Sequence, residues 1–116
     1  IILFHAFGLL VDYSEIIRKG IISIDSFDFQ YAQEKRKTIK LVATTSWNAD
    51  NTLTAYVLPT FVKKNTVLST VNNEYNGVLI GSTLADEQFL FGKGAGRYPT
   101  SSAVLSDISA LKFNYK

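Results

Sequence analysis

The sequence predicts an α+β fold in which two helices lead into three or four strands and a further helix follows. Three observations lead there. Residues 38–46 and 52–58 alternate apolar and polar side chains on either side of Asn48-Ala49-Asp50-Asn51, the pattern of a β-hairpin around a turn cluster. Ile24-Asp25-Ser26-Phe27-Asp28 has the chemistry of a helix start. Val104, Ile108, Leu111 and Tyr115 step by four, three and four, which is one face of a helix.

Each element has a local reason. The opening run, 1–11, is almost continuously apolar and reads as the end of a buried helix, stopped near Gly8 or Asp12. Its length is far below the roughly 20 residues that cross a bilayer. It has neither a basic leader nor a small-residue cleavage pattern, which disfavours a signal peptide. With no methionine and a start inside a hydrophobic run, the chain reads as a piece of something longer.

The second helix is predicted from Asp25 or Ser26 to about Lys37, since either residue can accept from the free amides of the first turn and Asp28 complements the dipole. Phe27, Tyr31 and Glu34 or Lys35 give it a narrow, aromatic buried face. In the hairpin, Ile39, Leu41 and Ala43 alternate against Lys40, Val42 and Thr44. Pro59 has no N–H for a ladder, so it ends the second strand or sets it at an edge. Residues 60–76 read as mostly irregular around a short apolar piece, Val67 to Val71. Val78-Leu79-Ile80 and Gln88-Phe89-Leu90-Phe91 are two short strands joined by a loop over 81–87.

Composition bounds the function classes. The chain has 116 residues, 47% apolar and 19% charged, enough for one domain with one ordinary core. A net charge of +2, with no basic block longer than Lys35-Arg36-Lys37, gives no electrostatic case for nucleic acid or an anionic membrane. The absence of cysteine removes disulfides and thiolate chemistry, and a single histidine, His5, rules out a histidine-rich metal centre. A cytoplasmic soluble protein fits these limits. No period repeats, and no stretch has the composition of an interdomain linker.

The stretch with most chemistry is Gly92-Lys93-Gly94-Ala95-Gly96, between a predicted strand and a helix whose first turn is Thr100-Ser101-Ser102-Ala103. Glycine at alternate positions lets the backbone take positive φ and approach a ligand, and a helix N-terminus favours negative charge. The spacing is not the dinucleotide fingerprint G-x-G-x-x-G, and the second strand with its acidic residue does not follow. A tight turn with no ligand accounts for the same three glycines, so both readings stand on spacing alone. Elsewhere the bland readings prevail. His5 is a packed or rim histidine, Asp25 and Asp28 cap a helix, Asp86-Glu87 and Glu34 to Lys37 are solvated, and Asp107 sits on a polar helix face with some claim to a site.

The segment FGKGAGRYPTSSAVLSDISAL resembles the late glycine-loop segment of homoserine dehydrogenases, and FHAFGLLV, GIISI, IKLVA, LPTFVKKN and NNEYNGVLI match that family in the same order. The resemblance covers essentially the whole chain and is nearest to the short form from Bacteroidetes-type bacteria. It implies a Rossmann cofactor domain, absent from this sequence, followed by a catalytic and dimerisation domain. That second domain has a mixed or antiparallel sheet with helices on one face, and residues 1–116 would be its second half.

The implied activity is NADP- or NAD-dependent interconversion of L-homoserine and L-aspartate 4-semialdehyde, on the route to threonine and methionine, in a homodimer. The family's catalytic lysine and aspartate and its substrate-binding glutamate would lie upstream of Ile1, so no catalytic residue and no metal ligand is expected here. Gly96 matches the last glycine of the G-A-G motif that faces the nicotinamide half of the cofactor, with Gly94 and Ala95 beside it, and Thr100 matches the threonine that opens the next helix. Arg36 replaces a helix-ending glycine, which implies that the left-handed cap is lost or replaced, and Ser101 replaces an alanine. Arg97 is a phosphate or carboxylate contact by charge, with no matching family role. Two other functions remain open: a small-molecule-binding or regulatory module, and a dimerisation domain with no ligand.

Overall fold

A computed structural model describes Leu3 and residues 7–113. The chain divides into two compact units, Ile1–Lys64 and Asn65–Lys116. In the first, Leu3 and Phe7 are helical and Gly8 turns the chain at φ +68°, at the predicted helix end. Residues 1, 2 and 4–6 of that predicted helix, His5 among them, lie outside the described residues, and Leu9 to Val11 continue as irregular chain rather than helix.

The first unit holds β1 (Ile17–Arg18), helix α1 (Ser26–Glu34), β2 (Lys37–Trp47) and β3 (Leu53–Lys63). Helix α1 starts as its sequence predicts. The Asp25 carboxylate accepts from the Phe27 and Asp28 amides at 2.9 and 3.1 Å, and Asp28 reciprocates by accepting from the Asp25 N–H at 3.0 Å. It ends three residues before the expected Lys37, because Arg36 adopts φ 53° and turns the chain directly into β2. The left-handed cap is therefore kept, by an arginine. The expected aromatic face is not the buried one. Phe27 is 77% exposed, and Ala32 (1%) makes the close approach that a small side chain permits.

The hairpin is as predicted, and longer: β2 and β3 pair antiparallel from Lys37↔Lys63 to Trp47↔Leu53. Side chains close its turn. Asn48 Nδ2 donates to the Thr52 and Thr54 hydroxyls at 2.8 and 3.0 Å, and Asp50 accepts from the Thr52 amide and hydroxyl. Parallel pairing of β1 with β3 at Tyr56 and Val57 completes a mixed sheet in the order β1-β3-β2. Pro59 does not end β3. It lies past the two-residue reach of β1, where that side of β3 has no further described ladder for an N–H to serve. Helix α1 packs against β2, and its Tyr31 meets Phe61 of β3, the rings edge to face at 5.9 Å.

The second unit holds β4 (Tyr75–Ser82), β5 (Asp86–Lys93) and helix α2 (Arg97–Phe113), preceded by a 3-10 turn at Val67–Thr70 where irregular chain was expected. The two strands form an antiparallel hairpin from Tyr75↔Lys93 to Ser82↔Asp86, so the predicted loop over 81–87 shrinks to 83–85, with Asp86 at φ 50°. Tyr75 stacks on Phe91 at 4.7 Å. Gly77 is glycine because of packing: a Cβ there would stand 2.7 Å from Val71 Cγ2 and 2.8 Å from the Phe89 ring. No described residue of α2 is buried, and its predicted face, Val104, Ile108 and Leu111, is exposed. Tyr115 lies outside the described residues.

Among the described residues only Ala32 and Val62 are buried apolar side chains, so the ordinary core that composition allows is not completed within these residues. No described helix is long and apolar enough to cross a membrane.

Candidate functional site at the glycine loop

The loop hangs from the open end of the β4–β5 hairpin. Gly92 is still in β5, opposite Asn76, and a Cβ on it would meet nothing within 4 Å. Next, Lys93 Nζ pairs with Glu74 Oε1 at 2.9 Å. The chain then folds back on the same residue, because the amides of Gly94 and Ala95 both donate to the Glu74 carbonyl, at 3.1 and 3.4 Å. Two loop amides that spacing left free for an anion are thus already partnered.

The three glycines serve three purposes. Gly92 leaves an open shelf. Gly94 is a notch, since any Cβ there would collide with the Asn76 side-chain amide. Gly96 is required by conformation, with φ +113°, while the nearest neighbour of an added Cβ would be Pro99 Cδ at an ordinary 3.6 Å.

Helix α2 begins at Arg97, three residues before the predicted Thr100. The Gly96 carbonyl accepts from the Thr100 N–H at 3.1 Å, which places Gly96 at the cap with no side chain to satisfy the first-turn amides. Pro99 stands where a missing N–H does no harm. Gly94, Ala95, Gly96 and Thr100 therefore fall together at one end of α2. Asp107 does not join them, because ten residues of helix beyond Arg97 put it about 15 Å along the axis. Arg97 is turned onto its neighbour: Nη2 donates to the Tyr98 hydroxyl at 3.0 Å and the guanidinium lies 4.9 Å from that ring's centre.

Electrostatics at the loop come from one pair. The hydrogen bond and charge of Lys93 hold the Glu74 carboxyl below its usual range, and Glu74 raises the Lys93 ammonium above its own. Sequence reasoning passes over Glu74, Asn76 and Lys93. Apolar runs by themselves mark the strands only at 78–80 and 88–91, and the full register is what sets Asn76 opposite Gly92.

Other concavities offer less. A cleft in the first unit is lined by Leu9, Val11, Ile16, Trp47, Leu53 and Ala55, with Glu15 as its one ionisable side chain. A binding site needs several convergent polar groups. Among the described residues no three acidic or histidine side chains gather to hold a metal ion.

A strand hairpin feeding a glycine loop and helix in an α+β setting is also found in known proteins. The family model described as homoserine dehydrogenase matches residues 1–109. The homoserine dehydrogenase of Synechocystis sp. is 37% identical over 105 residues, covering 88% of this chain and 24% of that protein. That of Neisseria gonorrhoeae is 34% identical over 103 residues, covering 89% of this chain and 23% of that protein. Among solved structures, S. aureus homoserine dehydrogenase superposes with a TM-score of 0.82 at 27% identity, over 96% of this chain and 28% of that one. The Thiobacillus denitrificans enzyme gives 0.83 at 28% identity, over 90% and 24%. The chain belongs to the homoserine dehydrogenase family, and it spans about a quarter of the length of the curated relatives it matches.

Proposed function

We propose that this chain is part of a homoserine dehydrogenase, an NADP- or NAD-dependent oxidoreductase that interconverts L-homoserine and L-aspartate 4-semialdehyde in amino-acid biosynthesis. Within it, Gly96 with Gly94, Ala95 and Thr100 forms part of the wall against the nicotinamide end of the dinucleotide. The observation that carries this reading is the family match over residues 1–109, with the glycine loop inside it.

The loop fits such a group in one respect and limits it in another. Backbone free of side chains at Gly92 and Gly96 suits a flat ring, and the start of α2 favours negative charge nearby. The Gly94 and Ala95 amides, held by Glu74, serve as surface and not as donors. When bound, the dinucleotide supplies the hydride chemistry. The chain's residues would orient the ring and shield it from water, while the proton transfer would belong to groups that the family resemblance implies lie upstream of Ile1. Positioning without a proton donor leaves residues 1–116 inactive by themselves.

A homodimer and a cytoplasmic setting go with this reading. Exposed Leu41 and Phe61 on the first sheet supply apolar surface for a second subunit. The test is homoserine-dependent reduction of NADP or NAD by the full-length protein, with Gly96→Ala and Gly96→Val beside it. Turnover by wild type, and dinucleotide affinity at least tenfold weaker in both variants, which still melt cooperatively though at a temperature lowered by the strain at φ +113°, is the expected result. Variants that bind and turn over like wild type would overturn the role of the loop.

A further inference from the structure

The polar contact that a ring at this loop would need is not supplied by the loop. Gly94 and Ala95 N–H point to the Glu74 carbonyl, Lys93 is paired with Glu74, and Arg97 is bonded to Tyr98. Asn76 differs from all of these. It is exposed, it lies across the hairpin from Gly92, and its carboxamide is seated over the Gly94 α-carbon in the space that any side chain at 94 would fill. That carboxamide makes no hydrogen bond to any described residue.

An asparagine side chain offers two N–H donors and a carbonyl acceptor in one plane. Its natural complement is a second carboxamide, which presents the same groups reversed. On the side of Asn76 facing its cross-strand partner, Gly92 leaves the shelf open.

We propose that Asn76 is a further ligand-contacting residue, whose carboxamide, admitted by the notch at Gly94, pairs with the carboxamide of the planar ring received by the loop. This rests on the reading of the loop as a dinucleotide wall. It assigns Gly94 a different part from Gly96: Gly96 shapes the backbone, and Gly94 makes room for Asn76.

The test uses the full-length protein and equilibrium fluorescence titration with two reduced dinucleotides, the ordinary one and the analogue in which an acetyl group replaces the ring carboxamide. Losing one neutral hydrogen bond weakens binding by about fivefold. Asn76→Ala, which removes both bonds of the pair, should therefore bind the ordinary dinucleotide at least about fivefold more weakly and lose the preference for it over the acetyl analogue. Asn76→Asp preserves the shape and guards against a folding defect in the alanine variant; its carboxylate still accepts from the ring carboxamide N–H but donates nothing to the ring carbonyl, so it should weaken binding of both dinucleotides while keeping the preference for the ordinary one. Gly94→Ala should weaken binding by displacing Asn76, and adding Asn76→Ala to it should weaken binding no further.

If Asn76→Ala discriminates the two dinucleotides as wild type does, or Asn76→Asp binds both as tightly as wild type, the inference is wrong. Loss of binding in the Gly96 variants alongside that result would confine the failure to Asn76. Full binding in the Gly96 and Asn76 variants alike would sink the wall itself.

Discussion

Replacing Arg36 with glycine should stabilise this protein. Arg36 sits just past the end of α1 at φ 53°, a left-handed conformation that costs a residue with a Cβ about 1–2 kcal/mol. Both of its backbone groups are engaged, the N–H with Gln33 O at 2.9 Å and the carbonyl with Lys64 N–H at 3.0 Å, and glycine would preserve both bonds. The arginine side chain is exposed and makes no hydrogen bond, ion pair or ring contact with the described residues that its removal would lose. Against the relief stands the greater freedom of glycine in the unfolded chain, about 0.4–1 kcal/mol. The difference is a gain of between about 0 and about 1.6 kcal/mol for Arg36→Gly, centred near about 0.8, by subtraction of those two terms.

Urea unfolding of the full-length protein measures it, provided the slope of the transition is unchanged. Arg36→Ala is the control, because alanine retains the Cβ and should gain nothing. A gain in the alanine variant equal to that of the glycine variant would refute the argument, since the benefit would then come from removing the arginine side chain and not from the backbone.

The other tests are of packing and charge. Gly77→Ala should destabilise by about 1–3 kcal/mol, because the new methyl group meets Val71 and Phe89 inside contact distance; thermal melts of Gly77→Ala and of Gly77→Ala with Val71→Ala check it, and the second should recover part of the loss. The Glu74–Lys93 pair has a defined pH window. Glu74 is held below its usual range, so its contribution is present above that range and is lost as pH falls through the lowered value. Lys93 is raised, so its contribution is complete below the usual lysine range and is lost as pH climbs through the raised value. Stability of wild type and Lys93→Gln should differ most between those limits and converge beyond both, which a pH series of urea midpoints reads directly.

Local chemistry is legible in the residues themselves. Asp25 and Asp28 announce the start of α1, and Asn48 with Asp50 announces the turn between β2 and β3, because in each case the hydrogen bonds run between residues two to six apart. The α+β class follows from those periods, and the family resemblance points to Gly96 as part of a site. Strand ends are less legible. By residue type Pro59 and the residues next to the β4–β5 turn belong to strand ends and loops, yet they continue as strand because a paired neighbour outweighs local preference.

Sequence by itself determined the class of fold, the central hairpin, the capped helix and the presence of a glycine loop before a helix, all features set by neighbours a few residues apart. Only the tertiary structure decided what each glycine is for. Gly94 yields to Asn76 from the opposite strand, Gly77 yields to Val71 and Phe89, and the loop amides turn inward to Glu74, at the far end of the hairpin in sequence. These are cross-strand facts, fixed by the hairpin register, and a one-residue shift in that register would reverse every side chain involved.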